Sequence, residues 1–160
     1  MTVGPEMDMT HENLVKVAFE LQQDEEGYPP DKWETLWASV TGQNGSYCID
    51  NIPFYAKGIS SGDLVYAENR EGQLVFIRLI QPSTNSVFRL YVADENDVKS
   101  ARDSFRELGC ESEQSHIPKL FAVEIPGSVA IDPVAALLES GAEAGRWEYE
   151  QGVLRHSLAS

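Results

Sequence analysis

The sequence predicts an α+β protein in two parts, a small bent β-sheet or partial barrel followed by a split βαββαβ unit. Three observations carry that expectation. Short apolar alternations separated by glycine-rich turns fill residues 14–82, amphipathic helical stretches are confined to residues 87–155, and strand-like runs flank each of those stretches.

Residues 1–13 are polar, acidic and rich in methionine, and read as a flexible N-terminal arm. Val15, Val17, Phe19 and Leu21 then alternate with other residues at the period of a half-buried strand. Asp24-Glu25-Glu26-Gly27-Tyr28-Pro29-Pro30 interrupts it, because paired prolines cannot continue a sheet and glycine supports a turn. Leu36, Ala38 and Val40 resume the alternation. Gly42-Gln43-Asn44-Gly45 predicts a hairpin turn, with Tyr47 to Ile49 returning as the partner strand. Phe54 to Ile59 reads as one helical turn after Asp50-Asn51-Ile52-Pro53. Leu64 to Ala67 and Leu74 to Ile80 are strands around Asn69-Arg70-Glu71-Gly72.

From Val87 the pattern changes. Val87 to Val92 is a strand, and Asp94 is placed to cap a helix whose apolar face is Val98, Ala101, Phe105 and Leu108. Gly109 supplies the left-handed stop. Cys110 to Glu113 reads as a short edge strand and Leu120 to Ile125 as a buried one. Asp132-Pro133 is a favourable helix start, with Val134, Leu137 and Leu138 facing inward; Trp147 to Tyr149 closes the sheet. Strand, helix, strand, strand, helix, strand is the order of a ferredoxin-like unit. The expected organisation is therefore an arm at 1–13, a barrel-like subdomain at 14–82 and a ferredoxin-like α+β subdomain at 87–155, joined through Pro82-Ser83-Thr84-Asn85-Ser86.

In a chain of 160 residues, 26 acids against 12 bases give a formal charge of −14. A field of that sign repels phosphate backbones, so nucleic acid is not an expected ligand. No apolar run reaches the ~18 residues of a membrane span, and the first twelve residues lack the basic-then-apolar pattern of a signal peptide. Cytoplasmic location is the resulting expectation, with no membrane partner.

Reactive groups are sparse. His11, His116 and His156 are scattered with no ligand spacing, so no metal and no cofactor is expected. Cys48 and Cys110 are too far apart for a zinc spacing, and Cys48 has no basic neighbour in sequence to make a thiolate. Phosphate loop, dinucleotide fingerprint and nucleophile elbow are missing. Carboxylate pairs such as Glu148 and Glu150 arise by chance among so many acids. Arg78 and Arg89 sit mid-strand between apolar residues; both are expected to face solvent, Arg89 together with Val87 and Tyr91, the alternative being a buried guanidinium that needs a carboxylate partner. No catalytic residue is assigned.

The best candidate binding surface is aromatic: Tyr28, Trp33 and Trp37, with Asp50, Asn51, Phe54 and Tyr55. Aromatics in loops offer rigid contact area at small entropic cost, and neighbouring acids select a basic partner. The alternative is that these rings plug the open end of the barrel.

Val17-Ala18-Phe19, Gly27-Tyr28-Pro29-Pro30, Leu36-Trp37-Ala38, Asp50-Asn51-Ile52-Pro53-Phe54, Gly62-Asp63, Leu108-Gly109-Cys110 and Gly145-Arg146-Trp147-Glu148-Tyr149 occur in this order. The set resembles an uncharacterised bacterial domain-of-unknown-function family (DUF4265-like), over roughly Leu14 to Arg155. The resemblance implies a bacterial cytoplasmic protein and supplies no catalytic residues. The function expected is that of a non-catalytic acidic binding protein, in its sharpest form an immunity-type protein that neutralises a toxin, with a basic protein as partner. A small-ligand regulatory module and an unrecognised enzyme are the alternatives.

Overall fold

The computed structural model describes residues 14–157, so the expected arm at 1–13 lies outside the described residues. The strands are β1 (Leu14–Glu20), β2 (Trp33–Val40), β3 (Ser46–Ile49), β4 (Leu64–Arg70), β5 (Gln73–Gln81), β6 (Ser86–Val92), β7 (Glu111–Gln114), β8 (Leu120–Ile125) and β9 (Trp147–Val153). Helix α1 (Val98–Glu107) precedes β7, and α2 (Ile131–Glu143) precedes β9. The fold is α+β. The described chain divides into two units, one running through Asn51 and resuming over Ser61–Pro82, the other formed by Ile52–Ser60 and the residues from Ser83 onward.

In the first unit β1 to β5 form a meander in which each strand pairs antiparallel with the next. Four reversals return β5 to the direction of β1, so the closing pair has to be parallel. Val17 meets Leu74 and Ala18 meets Val75, and the bent sheet expected from the sequence becomes a closed barrel. Alternation sends Val17, Phe19, Leu36, Ala38, Ile49, Val65 and Ala67 into its core. Phe19 stacks on Phe76 with ring centroids 4.7 Å apart. Each large side chain buried this way stabilises the unit by roughly 1.5–3 kcal/mol. The β4–β5 hairpin turns on Glu71 and Gly72, with φ of 56° and 88°. Two positive values are what a tight turn matching the strand twist needs, and the Asn69 side chain accepts the Gly72 N–H at 3.0 Å.

The second unit is a four-stranded antiparallel sheet in the order β7-β8-β6-β9. Phe88, Leu90 and Val92 from β6 and Phe121, Val123 and Ile125 from β8 share one core with Val98, Ala101 and Phe105 of α1 and Val134 and Leu138 of α2. Asp94 does cap, accepting from the Asn96 N–H at 2.9 Å, but it caps a 3-10 turn over Glu95–Asp97 before α1 begins. Gly109 ends the helix at φ 96°. Its N–H reaches the Arg106 carbonyl, and the Cys110 N–H reaches that of Phe105. Helix α2 starts at Ile131, two residues earlier than its proline suggests. Pro133 is tolerated in the first turn because N–H groups there have no intrahelical acceptor.

Two expectations are corrected here. Phe54 to Ile59 is not a helical turn. Its backbone polar groups bond sideways instead: the Gly58 N–H donates to the Gly152 carbonyl at 3.0 Å, and the Ala56 carbonyl accepts from Arg89. Arg89 does not face solvent. It lies with Val87 on the sheet face away from the helices, as its alternation requires, but is only 2% exposed. The segment Ile52–Ser60 covers that face as a strap, with Ile52 packed against Val87 and Ala122. Arg78, by contrast, is exposed and lies over the Tyr66 ring at 4.5 Å.

Candidate functional site

On β2 the even-numbered side chains Leu36 and Ala38 point into the barrel, so Trp33, Thr35 and Trp37 point out. Trp33 is 46% exposed and Trp37 41%. The plug reading therefore does not describe these two rings, which stand on the outer wall. The β1–β2 register sets Lys16 opposite Trp37, Ala18 opposite Thr35 and Glu20 opposite Trp33. The Lys16 ammonium lies over the Trp37 ring, 5.1 Å from its centroid.

Tyr28 is also exposed, in the loop between β1 and β2. That loop is tied to itself. The Asp24 carboxylate accepts the N–H groups of Glu26 and Tyr28, both at 2.9 Å, and Gln23 donates to the Pro29 carbonyl at 3.0 Å. A loop ordered before binding loses less conformational entropy when a partner arrives.

Asp50 and Asn51 reach the wall through the backbone. Beyond the last β2–β3 pair, the Asp50 N–H donates to the Trp37 carbonyl at 2.9 Å, and the Asn51 side-chain oxygen accepts the Trp37 N–H. Asn51 thus acts as one more strand residue, fixing the backbone beneath the indole, while Asp50 is exposed. Phe54 and Tyr55 belong to the other unit, within the strap, and both are half-buried. Phe54 packs on the Ile52–Val87–Ala122 cluster. Of the seven residues picked from the sequence, Tyr28, Trp33, Trp37, Asp50 and Asn51 are in the first unit and two are strap residues.

The groups with reactive chemistry are quiet. The Cys48 thiol is pushed up by burial, then by the negative charges of Asp50 and Asp63, which a hydrogen bond with Ser39 partly offsets. Burial alone pushes Cys110 up to about 11. Both therefore stay protonated, the wrong state for a nucleophile. His156 is half-buried and bonded at both nitrogens: Nδ1 to the Ser86 hydroxyl at 2.6 Å and Nε2 to the Pro126 carbonyl at 2.9 Å. A carbonyl only accepts, so Nε2 carries a proton; in the neutral ring Nδ1 then accepts from the Ser86 hydroxyl. Ser86 Oγ also accepts the N–H groups of Arg155 and His156, at 2.8 and 3.2 Å. With its proton and both lone pairs engaged, this serine is a structural clasp. His116 is exposed, and His11 lies outside the described residues. Among the described residues no group of three His, Cys, Asp or Glu side chains is placed to hold a metal.

Sequence reasoning missed Lys16 and Glu20 as parts of the wall. The signal was there in outline: once Val17 and Phe19 are assigned inward, Lys16 and Glu20 must point out. Knowing which indole each faces needed the hairpin register, which an irregular twelve-residue loop does not reveal.

No curated protein matches the chain. A crystal structure of a hypothetical protein from Neisseria gonorrhoeae resembles it with a TM-score of 0.74 and 22% identity, covering 89% of this chain and 96% of that one. At that identity the likeness is one of fold. A family model described as a domain of unknown function, DUF4265, matches residues 34–149. Running from the outer wall of the barrel to the last strand of the second unit, that match covers most of the sequence, and the chain belongs to this family.

Proposed function

We propose that the chain is a non-catalytic acidic binding protein whose barrel wall engages a basic protein, most sharply as an immunity-type protein that neutralises a toxin by direct binding. The observation that carries this reading is the exposure of Trp33 and Trp37 on one regular strand face, where solvated polar side chains are the usual occupants. The formal charge of −14 complements a basic partner, speeding encounter and disfavouring acidic competitors. Protonated thiols and a fully bonded Ser86 argue against covalent catalysis. Two free cysteines suit a reducing compartment such as the cytoplasm.

We further read residues 14–82, less the Ile52–Ser60 strap that belongs to the second unit, as a barrel subdomain and residues 87–155 as a subdomain of ferredoxin-like type. The element order and the antiparallel strand order β7-β8-β6-β9 support that class.

The test titrates the purified chain against purified basic proteins encoded beside its gene, by calorimetry and by rescue of the activity they poison. A salt-sensitive complex weakened by at least about 2 kcal/mol in W33A/W37A is expected. Failure of every such protein to bind at low salt would sink the reading.

A further inference from the structure

The outward residues of β1 and β2 make three cross-strand rungs with unlike chemistry. Lys16 and Trp37 form a satisfied one, since a cation over an indole is attracted to the negative face of the ring. Glu20 and Trp33 form the reverse. An exposed carboxylate stands opposite an exposed indole; the negative face of the ring repels the carboxylate, yet face and carboxylate both attract the same third group. Directly opposed side chains have Cβ atoms about 5 Å apart. A planar cation lying on the Trp33 ring would therefore carry its edge N–H groups to the Glu20 oxygens.

Resting on the reading that this wall binds a basic protein, we propose that Trp33 and Glu20 form the seat for an arginine side chain of that partner. It repeats between molecules what Lys16 does on Trp37 within one. Arginine suits the seat better than lysine because its guanidinium is flat, stacks on aromatic faces and offers a fork of donors to a carboxylate. The surroundings select the same charge. Exposed Asp24, Glu25, Glu26 and Asp31 lie in the loop joining the two strands, against Lys32 as the base of that loop. A second copy of the chain is the wrong occupant, since it would bring another −14 and an identical acidic rim.

The experiment follows binding of capped hexa-arginine, with hexa-lysine and hexa-glutamate as comparisons, by calorimetry at low salt. It compares the wild type with W33L, E20Q and W37L, each confirmed folded by circular dichroism. Expected are tighter binding of hexa-arginine than hexa-lysine, a loss of about fivefold in W33L and about threefold in E20Q, and a smaller change in W37L. Equal weakening in W33L and W37L, or none in both W33L and E20Q, would mean a diffuse acidic field and overturn the seat. Self-association of the wild type abolished by W33L would assign the wall to a second copy and overturn it as well. A seat present for hexa-arginine with no basic protein partner would fail the broader reading alone; a basic partner indifferent to W33L and E20Q would fail the seat alone.

Discussion

Replacing Arg89 by methionine tests what holds the strap onto the second sheet. Methionine keeps the length of the aliphatic stem and removes the guanidinium, so the change isolates charge and hydrogen bonding. Arg89 is 2% exposed and donates to the Ala56 carbonyl. Its cross-strand neighbour on β9 is Glu150, and Glu124, 6% exposed, lies on the adjoining β8. Leaving a buried carbonyl without its donor costs about 1–3 kcal/mol. Loss of the positive charge beside two acids on neighbouring strands adds to that cost. Relief from desolvating the guanidinium offsets part of this, and a net loss of about 3 kcal/mol is expected. That is a large share of the ~5–15 kcal/mol available to a domain. Urea unfolding measures the loss. Hydrogen exchange at the Gly58 amide, which bonds to Gly152, reports whether the strap lifts first. Adding E150Q should return part of that loss, since the residue across the strands from position 89 then carries no charge. A loss under about 0.5 kcal/mol in R89M with Gly58 still protected would refute the argument, because the strap would then be held by its other bonds.

Two further outcomes follow from packing and titration. Gly141 lies inside α2, where alanine would normally gain about 1 kcal/mol, but a methyl there would overlap the Trp147 ring. That ring is buried and fixed by its N–H to the Leu138 carbonyl at 3.0 Å, so overpacking wins and G141A should lower the unfolding midpoint in urea. Cys110 binds its proton more tightly folded, to about 11, than unfolded, near 9.0. Above pH 9 the unfolded chain loses that proton first, so stability is full below pH 9 and falls as pH rises toward 11. The pH dependence of unfolding in C110A should lack that component, and an identical slope in both proteins would contradict it.

Much of the fold was legible because it depends on local rules. Val17 and Phe19 alternate as a barrel strand must, Gly109 stops α1 with the backbone only glycine adopts easily, and Val98, Ala101 and Phe105 mark one helix face. What the sequence concealed is non-local. Closure of the barrel depends on two parallel pairs between β1 and β5, fixed by counting reversals and not by any residue type. Arg89 shows the harder case. Its strand parity correctly turns it away from the helices, but parity names a face and cannot say what lies on it. The covering segment is thirty residues away in sequence and looks like a loop, because Pro53 and Gly58 break any periodicity. Its place on the sheet is decided by polar bonds at a few points: the Ile52 N–H to Glu113 at 3.1 Å, Gly58 to Gly152, and Arg155 to Gly58 and Ser60 at 3.0 Å each. A buried arginine between apolar neighbours is therefore better read as a demand for a partner from elsewhere in the chain than as a solvated edge. The same logic applies to the wall of the barrel. Trp33 opposite Glu20 sets a carboxylate beside the negative face of an indole, and a pairing of that kind on an exposed face calls in the same way for a cation, the group proposed above for the partner to bring.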